Sequence, residues 1–248
     1  MGKIRYCLPV LVMWLAVLAS GCASVDRTGP IDRAGGAVGQ GNGWWAARLH
    51  MNWPLDEAPA WHIDLILADR VIAPVLERYR DRIALWRFHR RASRDHAGHQ
   101  FSFLFHASPE VAKRIFRDIR CDALLAELKA SGVVLRDSYD ETDRVARPHI
   151  EDTSDPRWPV SIRKSWPYFI MGVSQMWLEL IRYAVEDASS RDSSAPQGVE
   201  DLNDLYGRVN RTVTELARAQ GRHAFLHHLN AVFGYEPFAD LERALSGP

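Results

Sequence analysis

The chain has 248 residues, of which 47% are hydrophobic and 25% charged, and its 31 basic and 31 acidic side chains give a formal net charge of zero at pH 7. This composition is that of an ordinary globular protein. It argues against a strongly basic nucleic-acid-binding protein and against a polybasic membrane module, so we expect no nucleic-acid partner.

The first residues have the parts of a secretory signal sequence. Lys3 and Arg5 give a positive start, and residues 6–19 form an apolar core that is too short to span a bilayer comfortably. The core ends in the run Leu-Ala-Ser-Gly-Cys at residues 18–22, which resembles the lipobox of bacterial lipoprotein precursors. Ala19 stands where that family most often has Leu. The alternatives are an ordinary signal peptide and an uncleaved short anchor, in which Cys22 is only a thiol.

The resemblance implies that residues 1–21 are removed and that Cys22 carries lipid and becomes the new N-terminus. Ala23, in place of Asp, favours sorting to the outer membrane of a Gram-negative cell. The expected location is therefore the outer membrane, lipid-anchored on its periplasmic face.

Only Cys121 would remain in the mature body, so no disulfide within the body is expected. It lies between Ile119 and Leu124 in a helical pattern, which favours a buried, inert thiol over a nucleophile.

Residues 22–43 comprise the lipidated cysteine and a segment rich in Gly with few large apolar residues, the composition of a flexible tether. The body, residues 44–248, is long enough for one substantial core, and we expect a single α+β domain with a helical part from about residue 160.

The order of the predicted elements indicates a fold. Alternation predicts a first strand over Trp61–Leu67, and the next apolar stripe predicts a helix over Val71–Tyr79. A β-hairpin is predicted over Ala84–Ala107 and a helix from a Ser108 cap to Gly132, interrupted near residues 120–122. A last strand at residues 133–135 completes the ferredoxin-like split β-α-β-β-α-β order, which three further predicted helices follow, at residues 165–184, 199–220 and 222–233.

The order of segments from Trp61 to Arg144 also resembles the C-terminal elimination domain of lantibiotic dehydratases. In that family an aromatic-Arg strand precedes an alternating strand, and a Tyr and a Glu follow. The match touches Arg87, His99, Tyr139 and Glu141. The chain reads His-Gln-Phe-Ser-Phe from His99 where that family has His-Leu-Arg-Leu-Arg, so the resemblance implies the topology and no activity.

The predicted hairpin carries four arginines on and just after its first strand: Arg87, Arg90, Arg91 and Arg94. Guanidinium groups recognise carboxylates and phosphates by two-point hydrogen bonding, so the cluster indicates an anion-binding or partner-binding surface. Lipid phosphate, lipopolysaccharide, peptidoglycan carboxylate and an acidic protein are the candidate partners. The alternative is an edge strand that its charges protect from aggregation.

Histidines suggest two further sites. His62, Asp64, His89 and His106 are expected to meet on one face of the sheet, where a carboxylate-held imidazole is a usual general base. No nucleophile motif or Gly-rich phosphate loop accompanies them. The weaker candidate is a metal pair four residues apart on a helix, formed by His223 and His227, without the glutamate of an HExxH motif.

The sequence thus predicts a membrane-anchored periplasmic lipoprotein that serves as a binding or assembly module of the cell envelope. We expect no metal and no cofactor. The alternative is an envelope enzyme that uses the histidines and the aspartate on the sheet face, so whether the chain is an enzyme stays open, with binding favoured.

Overall fold

A four-stranded antiparallel sheet lies at the centre of the computed structural model, which describes residues 41–191 and 198–235. The signal sequence, Cys22 and most of the expected tether lie outside the described residues. The strands are β1 (Gly43–Met51), β2 (Leu85–Ala92), β3 (His99–Ala107) and β4 (Val134–Tyr139), and they lie side by side in the order β2-β3-β1-β4.

The sheet has two distinct faces because side chains alternate along each strand. We call the first the core face; Trp45 and Ala47 of β1 pair there with Phe105 and Phe103 of β3, and Phe88 of β2 pairs with Phe103. The opposite, second face carries Trp44, Ala46 and Arg48 of β1, Arg87 and His89 of β2, and Gln100, Ser102, Leu104 and His106 of β3.

The first predicted strand is wrong: Trp61–Ile66 is a helix, α1. A π-helical segment (Leu67–Ile72) and α2 (Ala73–Arg78) continue it. Trp61–Leu67 looked like a strand because its apolar residues include every second position. Asp64 and Ile66 are buried as well, so this helix is buried on most sides. Over so short a run, the apolar pattern of such a helix cannot be distinguished from that of a strand. The first strand is β1, which lies at the start of the expected body.

The centre of the chain follows the prediction. The hairpin is confirmed as β2 and β3, and the helix after it is interrupted between α3 (Pro109–Arg120) and α4 (Ala123–Ala130). Ser108 Oγ accepts a hydrogen bond from the Val111 N–H, and the Asp122 side chain caps α4 in the same way. Gly132 ends this region with a φ of +74°, which glycine adopts without steric cost.

The C-terminal part is helical, as expected, but its first helix, α5 (Val160–Arg191), starts earlier than Pro167 indicated. A proline inside a helix cannot donate to the carbonyl four residues before it, here that of Arg163. The Ser154 hydroxyl donates to that carbonyl at 2.7 Å and so replaces the missing bond. The remaining helices are α6 (Val199–Gly221), a π-helical segment (Arg222–His227) and α7 (His228–Val232).

Helices cover the core face and one edge of the sheet. Phe116 of α3 packs edge-on against Phe105, and α6 packs on both α1 and α5. Helix α5 runs along the edge strand β2, where Ser174 Oγ accepts the outward N–H of Phe88 at 3.1 Å and Trp177 packs against the Phe88 ring. This edge is therefore closed to strand pairing at that point. Among the described residues no helix is long and apolar enough to cross a membrane.

Candidate functional site

A cleft of about 700 Å³ lies between the second face of the sheet and the C-terminal helices. Its volume is within the range of about 300–1,000 Å³ that is typical of small-molecule sites. The sheet contributes mainly polar side chains, among them Arg48, Arg87 and Gln100, while the helical wall is almost entirely apolar. The helical residues are Trp166, Ile170, Val173, Ser174, Met176, Trp177, Leu180, Val213, Ala217 and Phe225.

Arg87 is the most unusual group in this cleft. Its guanidinium lies over the Trp166 ring, with the Cζ atom 4.9 Å from the ring centre, and its Nη2 donates a long 3.4 Å hydrogen bond to the Thr153 carbonyl. The Nε atom is buried without a hydrogen-bond partner, and no carboxylate within the described residues forms an ion pair with Arg87. Burial, and then repulsion from Arg147, lower the pKa of Arg87 to about 10. The side chain is therefore still a cation at neutral pH.

Asp140, the carboxylate that pairs with arginines of this part of the structure, already has its partners. Asp140 forms ion pairs with Arg48, at 2.7 Å, and with Arg147, and it accepts the Ala46 N–H at 2.9 Å. These contacts occupy both oxygens of Asp140, and Arg87 stays without a counter-charge. An anion in the cleft would satisfy it.

His89 lies beside Arg87 on the second face. Burial of the imidazole, followed by repulsion from Arg87 and Arg91, lowers the pKa of His89. It is therefore neutral at pH 7, and it gains a positive charge only in acid. Its position lets it add to the field of Arg87 as the pH falls.

The expected His/Asp constellation is not assembled. His62 and Asp64 lie on α1, whereas His89 and His106 lie on the second face of the sheet. Burial lowers the pKa of His62, although the negative charge of Asp64 acts to raise it. His106 is fully buried: its ring packs edge-on against Trp44 and its Nε2 lies 3.3 Å from the Pro148 carbonyl.

Asp64 instead belongs to a buried polar cluster on the core side. Its Oδ2 accepts a hydrogen bond from Arg90 Nε at 2.7 Å, and its Oδ1 lies 3.1 Å from His99 Nε2 without hydrogen-bond alignment. Both the Asp64 and the His99 side chains have no exposed surface. No substrate reaches this carboxylate and imidazole in the observed conformation, so the geometry does not favour the enzyme alternative.

The four predicted anion-binding arginines do not form one surface. Arg90 points to the core side, where Trp61 and Trp177 flank its guanidinium at 5.0 and 4.8 Å. Arg91 pairs with Asp95 at 2.5 Å. Arg94 stacks on Trp53 and donates to the carbonyls of Trp53, Pro54, Leu55 and Glu57. Arg90 also borders the cleft, but it is paired with Asp64; of the four, only Arg87 borders the cleft without a protein partner of opposite charge in the described part of the chain.

The weak metal candidates lie on the last π-helical segment. The rings of His223 and His227 stack at 5.0 Å, and both residues are exposed. No group of three or more potential metal ligands is arranged to hold an ion within the described residues. The expectation for Cys121 is wrong, because this residue is exposed: it caps the end of α3, where the break before α4 takes it out of the buried stripe.

The sequence interpretation missed the helical wall of the cleft. Trp166, Ser174 and Trp177 fall in the helix predicted over residues 165–184, and nothing in the spacing shows that part of that helix borders a cavity. Their aromatic character was the only available hint. Comparisons with protein-family models, with curated proteins and with solved structures found no match.

Proposed function

We propose that this protein is a membrane-anchored lipoprotein of the bacterial envelope that binds an amphiphilic anion in the cleft between the sheet and α5. The ligand class is a molecule with an acyl or similarly apolar body and one carboxylate at its end. The anchor would be the lipid on Cys22, with residues 1–21 removed and the domain on the periplasmic face of the outer membrane. The role is binding or delivery, and it requires no metal or cofactor.

One observation carries the proposal: the cation Arg87 has no counter-charge in the polar wall of a cleft whose opposite, helical wall is almost entirely apolar. A buried cation without a counter-charge is costly, and structure is not stabilised by leaving it unpaired. A bound carboxylate would accept a charge-assisted hydrogen bond from an Nη of Arg87. The wall opposite, with Trp166, Ile170 and Trp177, would hold the apolar body.

We also propose that the sheet belongs to the ferredoxin-like topology. The order of elements is β1, α1 with α2, β2, β3, α3 with α4, β4, and each neighbouring pair of strands is antiparallel. That order and the strand arrangement β2-β3-β1-β4 fit the split β-α-β-β-α-β motif. Helices α5 and α6 are then additions that create the cleft.

The test is to recover what the protein carries. The full chain is expressed in a Gram-negative host, purified from the envelope, and extracted with organic solvent for mass spectrometry. We expect an amphiphilic acid in the extract of the native chain and much less of it with Arg87→Gln. Arg91→Gln, on the same strand but paired with Asp95, is the matched control and should carry the native amount. Equal amounts in all three proteins would contradict the proposal.

A further inference from the structure

The two walls of the cleft differ in polarity. We call the polar wall the five polar side chains of the second face that line the cleft: Arg48, Arg87, His89, Gln100 and Ser102. Across the cleft the helical wall is apolar except for Ser174, whose hydroxyl already donates to the Ile170 carbonyl at 2.8 Å and accepts the Phe88 N–H. A ligand that fills the cleft therefore contacts a polar surface on one side and an apolar surface on the other.

Strand pairing fixes the order of groups along the polar wall. Ser102 lies between His89 of β2 and Arg48 of β1, its partners in the two neighbouring strands. Arg87 is one row to one side of Ser102, and Gln100 is one row to the other side. Side chains on one face of a strand recur every second residue, about 7 Å apart. The polar wall therefore has its unpaired cation at one end and continues with uncharged polar groups for two further rows, over roughly 14 Å.

Gln100 and Ser102 keep hydrogen-bonding capacity that the protein does not use. They are 9% and 3% exposed, and Gln100 Nε2 donates to Ser102 Oγ at 2.7 Å. That bond leaves the Gln100 amide oxygen and the Ser102 hydroxyl proton without a partner among the described residues. Covering such groups with a methylene chain would leave them buried and unpaired, which costs free energy. A plain acyl chain, apolar on every side, therefore matches only the helical wall.

We infer that the ligand of the cleft is a facially amphipathic acid: a rigid polycyclic body with hydroxyl groups along one face, alkyl groups on the opposite face and a carboxylate at one end. The inference rests on the proposed function for the cleft and narrows its ligand class. The carboxylate binds at Arg87, and the hydroxylated face lies on Ser102 and Gln100. The alkyl face packs against the helical wall, where Trp166 and Trp177 offer large flat surfaces.

Two acids that differ only in the configuration of one ring hydroxyl test the inference. In chenodeoxycholate both hydroxyls lie on the face opposite the ring methyl groups, whereas in ursodeoxycholate one of them lies on the methyl side. The full chain is held in lipid nanodiscs, and binding is measured by equilibrium dialysis below the micelle concentration, with empty nanodiscs as the blank. Chenodeoxycholate should bind about fivefold tighter or more, because the displaced hydroxyl of ursodeoxycholate would be buried against the helical wall without a partner.

A matched pair of variants assigns the preference to the polar wall. Gln100→Met with Ser102→Ala removes both partners of one hydrogen bond together, so neither is left unpaired and the domain should fold, which circular dichroism checks. The preference should fall below about twofold, mainly through weaker binding of chenodeoxycholate. Ser138→Ala is the control: Ser138 and Ser102 are the two cross-strand partners of Arg48, but Ser138 does not line the cleft, so the preference should stay native.

The outcomes separate this inference from the proposed function. Equal binding of the two acids by the native protein, or tighter binding of ursodeoxycholate, would overturn the inference. A preference that the double variant retains would overturn it too, because general hydrophobicity would then explain the difference. Arg87→Gln should weaken both acids equally, and that result supports the anion site whatever the preference. If a fatty acid binds through Arg87 and neither ring acid binds, the inference fails and the proposed function stands; if no acid binds, both fail.

Discussion

The ion pair between Asp64 and Arg90 should be structural, and removing either side chain should destabilise the protein. Asp64 is fully buried, and the Arg90 side chain is 27% exposed. Breaking a buried pair usually costs about 3–5 kcal/mol, and the partial exposure of Arg90 places this pair at the lower end, about 3 kcal/mol. For a domain of this size that lowers the melting temperature by roughly 6–12 °C.

The assay is urea unfolding of Asp64→Asn, Arg90→Gln and the double variant. Each single substitution should lower the free energy of unfolding by about 3 kcal/mol, and the double variant by clearly less than the sum, because the two side chains interact directly. Arg91→Gln is the control: its exposed pair with Asp95 should contribute less than about 1 kcal/mol. If Arg90→Gln left stability unchanged and weakened binding of an anionic ligand, the assignment of Arg90 to the core would be refuted.

Three further predictions concern the anchor, the buried histidine and the sheet edge. Cys22→Ser should release the protein from membranes or leave the precursor uncleaved, whereas Cys121→Ser should not; an unchanged mature mass and membrane fraction of the first variant would contradict lipidation. Burial lowers the pKa of His106, so the unfolded state takes up its proton first as the pH falls below about 6.5, and stability should drop in acid by at most about 1.4 kcal/mol per pH unit from this residue. His106→Asn should flatten that slope in urea titrations at several pH values, and an unchanged slope would show that the imidazole titrates normally. Ser174→Ala leaves the Phe88 N–H without its acceptor and should lower the free energy of unfolding by about 1–3 kcal/mol. Ser190→Ala should lower it very little, because the Ser190 hydroxyl donates to the Asp187 carbonyl at the exposed end of α5.

Much of the α+β architecture followed from local chemistry. The hairpin alternation, the Ser108 cap and the Gly132 stop depend on neighbouring residues and were read correctly from the sequence. The run Trp61–Leu67 was interpreted wrongly, because a short apolar segment fits the helix period and the strand period alike. Only its burial on several sides decides between them. The earlier start of α5 depends on Ser154, which lies outside the helix and bonds to a carbonyl that Pro167 leaves free.

The candidate site was harder to predict, because it depends on which face each side chain occupies. Arg87 and Arg90 are three positions apart along β2, an odd number, so Arg87 lies on the second face of the sheet and Arg90 on the core side. The expected cluster of His62 and Asp64 with His89 and His106 does not form, because it required a strand where the chain forms helix α1. Asp64 instead pairs with Arg90 of β2 and lies against His99 at the start of β3, and sequence distance gave no indication of these contacts.

The most direct test of the cleft proposal compares a long-chain fatty acid with the primary alcohol of the same length. Binding to the full chain is followed by quenching of cleft tryptophan fluorescence with brominated forms of both ligands, for the native protein, Arg87→Gln and Arg91→Gln. A charge-assisted hydrogen bond contributes about 1.5–3 kcal/mol, so Arg87→Gln should weaken the acid by roughly tenfold or more and leave the alcohol nearly unchanged. Acid binding should also weaken above about pH 10, where Arg87 loses its proton. Equal affinities of the native protein for the acid and the alcohol, or equal losses of both with Arg87→Gln, would contradict an anion site at Arg87.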